Sequence, residues 1–263
     1  MYMNNTNTPG GGFDVFVTFT YTPCMENAQL YNENCIPVME RLQSGSVDLL
    51  LTDPPYNLGN FMKKRATNLP AMRENFFGAT DWDNLDTHEW EASMDDFFRL
   101  AARVLKPGGA LVVFMAIIKV ETLIALAQRH GFYYKTTGIW HKTNPMPRNM
   151  HLQFVNSTEA WLYFTRGEKT GTFNHFDNVV HDFIETGKAP AAEKKHGTHP
   201  TQKPVALMRF FVRSLSNEGE TVLDPFMGSG TTGVAAGELG RKFIGAETNG
   251  AYFATAQKRI NSL

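Results

Sequence analysis

Two short segments of this chain hold residues arranged for chemistry. The first is Asp53-Pro54-Pro55-Tyr56, followed by Asn57. Consecutive prolines stiffen a turn and donate no backbone N–H, yet their carbonyls remain acceptors. Asp53 adds a carboxylate, so the corner is acceptor-rich and held still. Tyr56 offers a flat face on which a nucleobase can stack, worth about 1–3 kcal/mol. Such a corner suits an aromatic amine, whose lone pair is delocalised into its ring and is therefore a poor nucleophile. Two acceptors gripping its N–H groups, the Asp53 carboxylate and the Pro54 carbonyl, would favour a pyramidal nitrogen able to attack a methyl donor in line. Catalysis would then be positioning and charge stabilisation, with no covalent enzyme intermediate. The plainer alternative is a proline-stiffened turn with an incidental tyrosine.

The second segment runs Asp224-Pro225-Phe226-Met227-Gly228-Ser229-Gly230-Thr231-Thr232-Gly233. Gly228 and Gly230 permit a tight turn and close approach of a ligand to the backbone. Ser229, Thr231 or Thr232 could cap the helix that follows and leave amide donors facing an anion. No Gly-Lys-Ser/Thr ending is present, which disfavours a P-loop nucleotide hydrolase, and the spacing differs from the dinucleotide fingerprint. Downstream, Phe243-Ile244-Gly245-Ala246-Glu247 reads as a strand with an acid at its end. A carboxylate placed there can accept from the two ribose hydroxyls of an adenosine-type cofactor.

The elements around these segments are legible from periodicity. Residues 46–52 form an apolar run stopped by prolines, a buried strand. Residues 90–105 show helical spacing through Trp90, Met94, Phe97, Phe98, Ala101 and Leu105, closing on Lys106-Pro107-Gly108-Gly109. Strands are expected at 110–115, 132–140, 220–223 and 242–246. Helices are expected at 120–130, 203–215 (with Pro204 near its start), 231–239 and 249–260. Alternating strands and helices imply one mostly parallel sheet covered on both faces, with ligands beyond the carboxyl ends of its strands. Both chemical segments lie at such ends.

Composition sets the outer bounds. The chain has 263 residues and a formal net charge of −1, with no run long enough to span a bilayer and only Cys24 and Cys35. A cytoplasmic protein follows, without a disulfide framework or a cysteine-rich metal site. Residues 1–12 read as a flexible leader and lack the plan of a signal peptide. Charge is uneven: residues 135–213 carry eleven Lys and Arg against six Asp and Glu, and six of the eight histidines. That face could neutralise phosphates or could simply be solvated.

The chain resembles the beta-class amino DNA methyltransferases, the permuted arrangement in which Asp-Pro-Pro-Tyr precedes the cofactor glycine turn. The resemblance runs over most of residues 30–260. It includes Leu105-Lys106-Pro107-Gly108-Gly109, Ile139-Trp140-His141-Lys142-Thr143-Asn144-Pro145, His199-Pro200-Thr201-Gln202-Lys203-Pro204, and the final helix with Tyr252, Ala256, Arg259 and Ile260. It implies an α/β, Rossmann-like, mostly parallel sheet of seven strands, one antiparallel near its edge, forming a single catalytic domain over 13–263. It implies S-adenosylmethionine as cofactor, over Phe226, Gly228, Ser229, Gly230, Thr231 and Thr232, with Glu247 on the ribose. Thr201 and Lys203 would sit near the methionine end. Asn34 and Cys35 fall where the family often has an acid near the adenine; Asn34 departs from that pattern, and Glu33 is the neighbouring acid. The resemblance makes Asp53, Pro54, Pro55 and Tyr56 the catalytic corner. The substrate would be double-stranded DNA with its target base flipped out against Tyr56. Asp at the first corner position points to N6 of adenine, because cytosine-N4 relatives more often carry Ser there. A target-recognition insertion is expected at 149–198, with Lys63, Lys64, Arg65, Arg148, His151, Lys194 and Lys195 as DNA contacts. A homodimer and a cognate restriction endonuclease are the protein partners the resemblance adds, and no membrane.

Other readings fit less of the chain. Pro23-Cys24 would suit a cytosine-C5 nucleophile, but no buried strand precedes it. An RNA or protein amine could enter a similar corner. A binding module on a methyltransferase scaffold would not need Asp53, Tyr56, Gly228 and Gly230 intact. His196 and His199 lack a third partner at ligand spacing for a metal.

Overall fold

The computed structural model describes residues 27–58, 86–147, 150–151, 154–176 and 178–263. Its elements are β1 (Ala28–Tyr31), α1 (Cys35–Arg41), β2 (Val47–Thr52), α2 (Thr87–Val104), β3 (Leu105–Met115), α3 (Val120–Arg129), β4 (Phe132–Lys142), β5 (Thr158–Arg166), β6 (Phe183–Thr186), α4 (Val205–Leu215), β7 (Thr221–Asp224), α5 (Thr231–Glu238), β8 (Lys242–Ala246) and α6 (Gly250–Asn261). All strands join one sheet in the order β1-β8-β7-β2-β3-β5-β4-β6. Every pairing is parallel except those of β5, which runs against both β3 and β4.

Apolar alternation along the central strands feeds two cores. Leu49, Leu51, Val112 and Phe114 face Met208, Phe211, Val234 and Ile260 of α4, α5 and α6. Leu50, Leu111, Val113 and Leu162 face Trp90, Phe97, Phe98 and Leu123 of α2 and α3. Covering on both faces explains why β2, β3 and β5 read as continuous apolar runs. In the second core Phe98, Phe132 and Phe164 meet edge to face with centroids 6.1–6.4 Å apart, geometry worth about 0.5–1.5 kcal/mol per pair beyond area burial. Helix α2 begins at a capping box: Asp86 accepts from the His88 N–H at 2.9 Å and Glu89 accepts from the Asp86 N–H at 3.3 Å.

Three features depart from the sequence reading. Among the described residues the sheet has eight strands, not seven; the additional one is β6, a short edge strand of alternating exposure beside the end of β4. The span 149–198 is not all insertion, because it supplies β5, buried between β3 and β4. Pro204 is the N-cap of α4 and precedes its first helical residue. The leader at 1–12, Cys24, and Lys63, Lys64, Arg65 and Arg148 lie outside the described residues. Among the described residues no helix is long and apolar enough to cross a membrane.

Candidate active site

Strands β2, β7 and β8 end side by side, and the segments that follow them line one cavity of about 360 Å³. That size falls within the roughly 300–1,000 Å³ of small-molecule sites. Asp53, Pro54, Pro55 and Tyr56 form one end of it, and Asn34, Cys35, Phe226 and Glu247 line it too. Two buried hydrogen bonds hold the ends together. Thr52 donates to Asp224 Oδ1 at 2.7 Å and Thr232 donates to Oδ2 at 2.6 Å, tying β2 and α5 to β7.

Burial pushes the Asp224 carboxyl up to about 6, against the hydrogen bonds from Thr232, Thr52 and the Phe226 N–H. The unfolded chain gives this group an ordinary value of about 3.9. The folded state therefore holds the proton more tightly, so the stability linked to Asp224 is full below about pH 4 and declines as pH rises through 6. Asp224→Asn keeps an oxygen for Thr52 and carries no charge. The melting temperature of this variant relative to the parent is expected to rise between pH 4.5 and 7.5, measured by calorimetry; a constant difference would contradict the assignment.

The Asp-Pro-Pro-Tyr corner is built around charge. Tyr56 donates its hydroxyl to Asp53 Oδ1 at 2.6 Å and lies 3.1 Å from Glu159 Oε2. Lys203 donates to Asp53 Oδ2 and lies 3.0 Å from Glu159 Oε2, and Lys142 Nζ is 2.5 Å from Glu159 Oε1. Trp90 Nε1 donates to the Pro55 carbonyl at 3.0 Å, bracing the prolines from α2. Asn57 closes the corner at φ 51, a left-handed conformation that Asn tolerates. Burial raises the Asp53 carboxyl above its ordinary range, although Lys203 opposes the shift. Glu159 goes the other way, to about 2, because Lys203 and Lys142 overcome its burial. Burial disfavours the Lys203 ammonium, but Asp53 and Glu159 more than reverse that and hold it charged. The rings of Phe114, Tyr56 and Trp140 lie 5.2–5.8 Å from its nitrogen.

The glycine turn forms the other wall. Gly228 has φ 52, and a Cβ added there would stand 3.2 Å from His199 Nε2. Its N–H donates to Glu247 Oε2 at 3.0 Å, and the Asn249 N–H donates to Oε1 at 2.7 Å. Thr248 donates to this carboxyl as well, and burial, the larger effect, raises it above its ordinary range. None of the expected side-chain caps forms on α5. Ser229 donates to Gln202 at 3.2 Å, Thr231 accepts from Arg259 at 3.0 Å, and Thr232 is taken by Asp224. The N-cap is Gly230 itself, at φ 77. Gly230 does not line the cavity, because its α-carbon packs against Ala256, where a Cβ would come within 2.8 Å.

Asn34 caps α1 by accepting from the Ile36 N–H at 2.9 Å; the Cys35 thiol is buried and pushed up to about 12. Glu33 also lines the cavity, paired with Arg41 at 2.8 Å. Thr201 and Lys203 both line it, and the Lys203 ammonium sits on Asp53 and Glu159 at the corner. A buried ammonium goes where carboxylates can match it. Lys195 and His151 are exposed and Lys194 half-buried. Glu159, His199 and Tyr252 also line the cavity, and Lys142 reaches it through Glu159, though none of the four stands out in sequence as a site residue. His199 packs edge-on against Tyr252 at 4.3 Å, and burial, with Lys203 and Arg259 near, brings it down to about 4. The sequence signal for Glu159 was a lone acid at the head of an apolar strand, a charge that burial obliges to be paired. Among the described residues no group of three His, Cys, Asp or Glu side chains could hold a metal ion.

Residues 47–258 match the family model described as DNA methylase, of the N6/N4 methyltransferases. The chain belongs to this family. It is similar to the type II methyltransferase M2.LlaDCHI of Lactococcus lactis subsp. cremoris, with 32% identity over 90% of both chains. It is also similar to the type II methyltransferase M2.DpnII of Streptococcus pneumoniae, with 29% identity over 89% of both. Among solved structures, the M1.HpyAVI–SAM complex superposes with a TM-score of 0.68 at 29% identity, covering 89% of this chain and 99% of that one. PvuII DNA methyltransferase (cytosine-N4-specific) shares the fold at a TM-score of 0.72 and 21% identity, over 91% of this chain and 89% of that one. The protein is thus a DNA methyltransferase of the N6/N4 class that uses S-adenosylmethionine. Its own residues fit that cofactor: a side-chain-free cradle at Gly228 and a strand-end carboxylate at Glu247 share a cavity with the acceptor corner.

Proposed function

We propose that this methyltransferase modifies N6 of adenine in double-stranded DNA, taking the target base out of the helix and against Tyr56. The observation that carries this reading is the Asp53 carboxylate, fixed beside Tyr56 in the same cavity as Gly228 and Glu247. When bound, the cofactor supplies an electrophilic methyl group on a sulfonium sulfur. Asp53 and the Pro54 carbonyl accept from the amine N–H groups and hold its lone pair toward the donor. Tyr56 stacks on the base, and the rigid prolines keep the acceptors in place. An aspartate at the first corner position favours adenine over cytosine. His151, Lys194 and Lys195, with Lys63, Lys64, Arg65 and Arg148, are assigned to DNA contacts.

Glu247 is assigned to the ribose, with Phe226 beside the adenine. Glu247→Gln keeps one acceptor oxygen and replaces the other by a donor. Losing one hydrogen bond to a charged acceptor costs about 1.5–3 kcal/mol, so cofactor affinity should fall roughly 10- to 150-fold by titration calorimetry. Unchanged affinity would remove Glu247 from the cofactor site.

The reading is tested by incubating purified protein with tritiated methyl donor and, in parallel, duplex DNA, RNA and a protein mixture. Label in DNA, recovered after digestion as N6-methyldeoxyadenosine, is the expected result. Label in N4-methyldeoxycytidine would overturn the choice of base, and label confined to RNA or protein would overturn the substrate.

A further inference from the structure

Because β5, alone among the described strands, runs against its neighbours, its first residues arrive at the edge where β2, β3, β4 and β7 end. Glu159 is the second residue of that strand. Its carboxylate meets Lys142 at 2.5 Å, Lys203 at 3.0 Å and the Tyr56 hydroxyl at 3.1 Å. The four charged groups Asp53, Glu159, Lys142 and Lys203 sum to zero. A mostly buried quartet of this kind is a poor way to stabilise a fold, since apolar side chains of similar volume often serve as well or better. Its position beside Asp53 gives it a different use.

We propose that Glu159 is a positioning residue for methyl transfer, offsetting the Lys203 ammonium so that the ionised Asp53 carboxylate is not cancelled as it meets the target amine, while the Tyr56 ring is held by its hydroxyl. This rests on Asp53 receiving that amine. In the transfer, the amine lone pair forms the N–C bond as the S–C bond breaks with its electron pair left on sulfur. Positive charge passes from sulfur to nitrogen, and the nitrogen then sheds one N–H proton to solvent. The charge therefore arrives beside Asp53, where an unmatched ammonium would oppose it. Asp53 is faced by Lys203 from the segment before α4, by Glu159 from β5, by Tyr56 from its own loop and by Asp224 from β7; Lys142 on β4 acts through Glu159. With Glu159 neutral, the quartet carries a net +1.

Glu159→Gln preserves shape and an acceptor for Tyr56 but removes the charge. Its single-turnover methylation rate is expected to fall about tenfold or more, with the KM for DNA and cofactor affinity little changed. The acid limb of the rate profile should move to lower pH, because a negative neighbour of Asp53 is gone. Carbon-13 NMR of protein labelled at aspartate carboxyls reads the same shift without turnover, as a lower titration midpoint for Asp53. Adding Lys142→Met restores neutrality and should recover most of the rate. A wild-type rate and Asp53 midpoint in Glu159→Gln would overturn the proposal, as would a double variant slower than the single one. If Glu159→Gln alone does not fold, the neutral double variant carries the test: a rate within about tenfold of wild type supports charge balance, and a loss as deep as that of Asp53→Asn overturns it. Failure of the wild type to methylate DNA would sink the proposed function, whereas the Asp53 midpoint would still report on Glu159.

Discussion

Asp53→Asn is expected to lose about a hundred- to a thousandfold in kcat, with cofactor affinity almost unchanged. The amide is nearly isosteric, so the prolines, Tyr56 and the cavity wall should stay where they are. On the proposed mechanism, what disappears is the charge that stabilises the nitrogen as it becomes cationic, and one of the two acceptors that orient it. The amide also turns an N–H donor toward Tyr56 or Lys203, both of which donate to this carboxylate in the native site. Glu247 and Gly228 bind each other independently of Asp53, which is why the cofactor should still bind. Calorimetric cofactor binding and single-turnover methylation separate the two effects. A rate within threefold of the parent would mean that Asp53 does not touch the reacting amine.

Lys203→Met is expected to damage the fold as much as the reaction. Removing one partner of a buried ion pair costs about 3–5 kcal/mol, because the partner charge is left unmatched. In a chain of this size that corresponds to a fall in melting temperature of roughly 10 °C. Here two carboxylates, Asp53 and Glu159, would remain with Lys142 alone. One of them must hold a proton to a higher pH in the folded state than in the unfolded state. Stability linked to such a group is full below its unfolded pKa and is lost as pH rises through the folded value. In the parent, Glu159 sits low, at about 2, and its contribution is present above its ordinary value of about 4.3 and is lost as pH falls toward 2. The proton held by the variant should narrow the gap in melting temperature between parent and variant as pH falls from 8 to 5, and the parent's loss from Glu159 continues the narrowing below about pH 4. A gap that widens toward acid would contradict the charge assignments.

Much of this architecture was legible in local pattern. The prolines after residues 46–52, the glycine turn at 224–233 and the strand ending in Glu247 marked three neighbouring strand ends, and helical spacing from Trp90 to Leu105 marked α2. What escaped was set by tertiary pairing. The run Thr158–Arg166 has the composition of a buried strand, but nothing local reveals that it lies between β3 and β4 or points the other way. Its reversal is what brings Glu159 to the corner, so the residue's place in the site depends on a strand direction that no local pattern encodes. Lys203 could be assigned to the site from its motif but not to a partner, since that depends on carboxylates 150 and 44 residues away in sequence. The failed caps have a similar cause: Asp224, Gln202 and Arg259 claim the hydroxyls that would otherwise have capped α5.

The proposed function assigns methylation of adenine in duplex DNA to the Asp53 corner. Sequencing by polymerase kinetics, applied to DNA from a methylation-free bacterial host expressing the protein, tests it most directly, with Asp53→Asn as the parallel strain. N6-methyladenine is expected at a fixed position in a recurring site with the wild type, and none above background with the variant. Modification at cytosine, or equal modification in both strains, would contradict it.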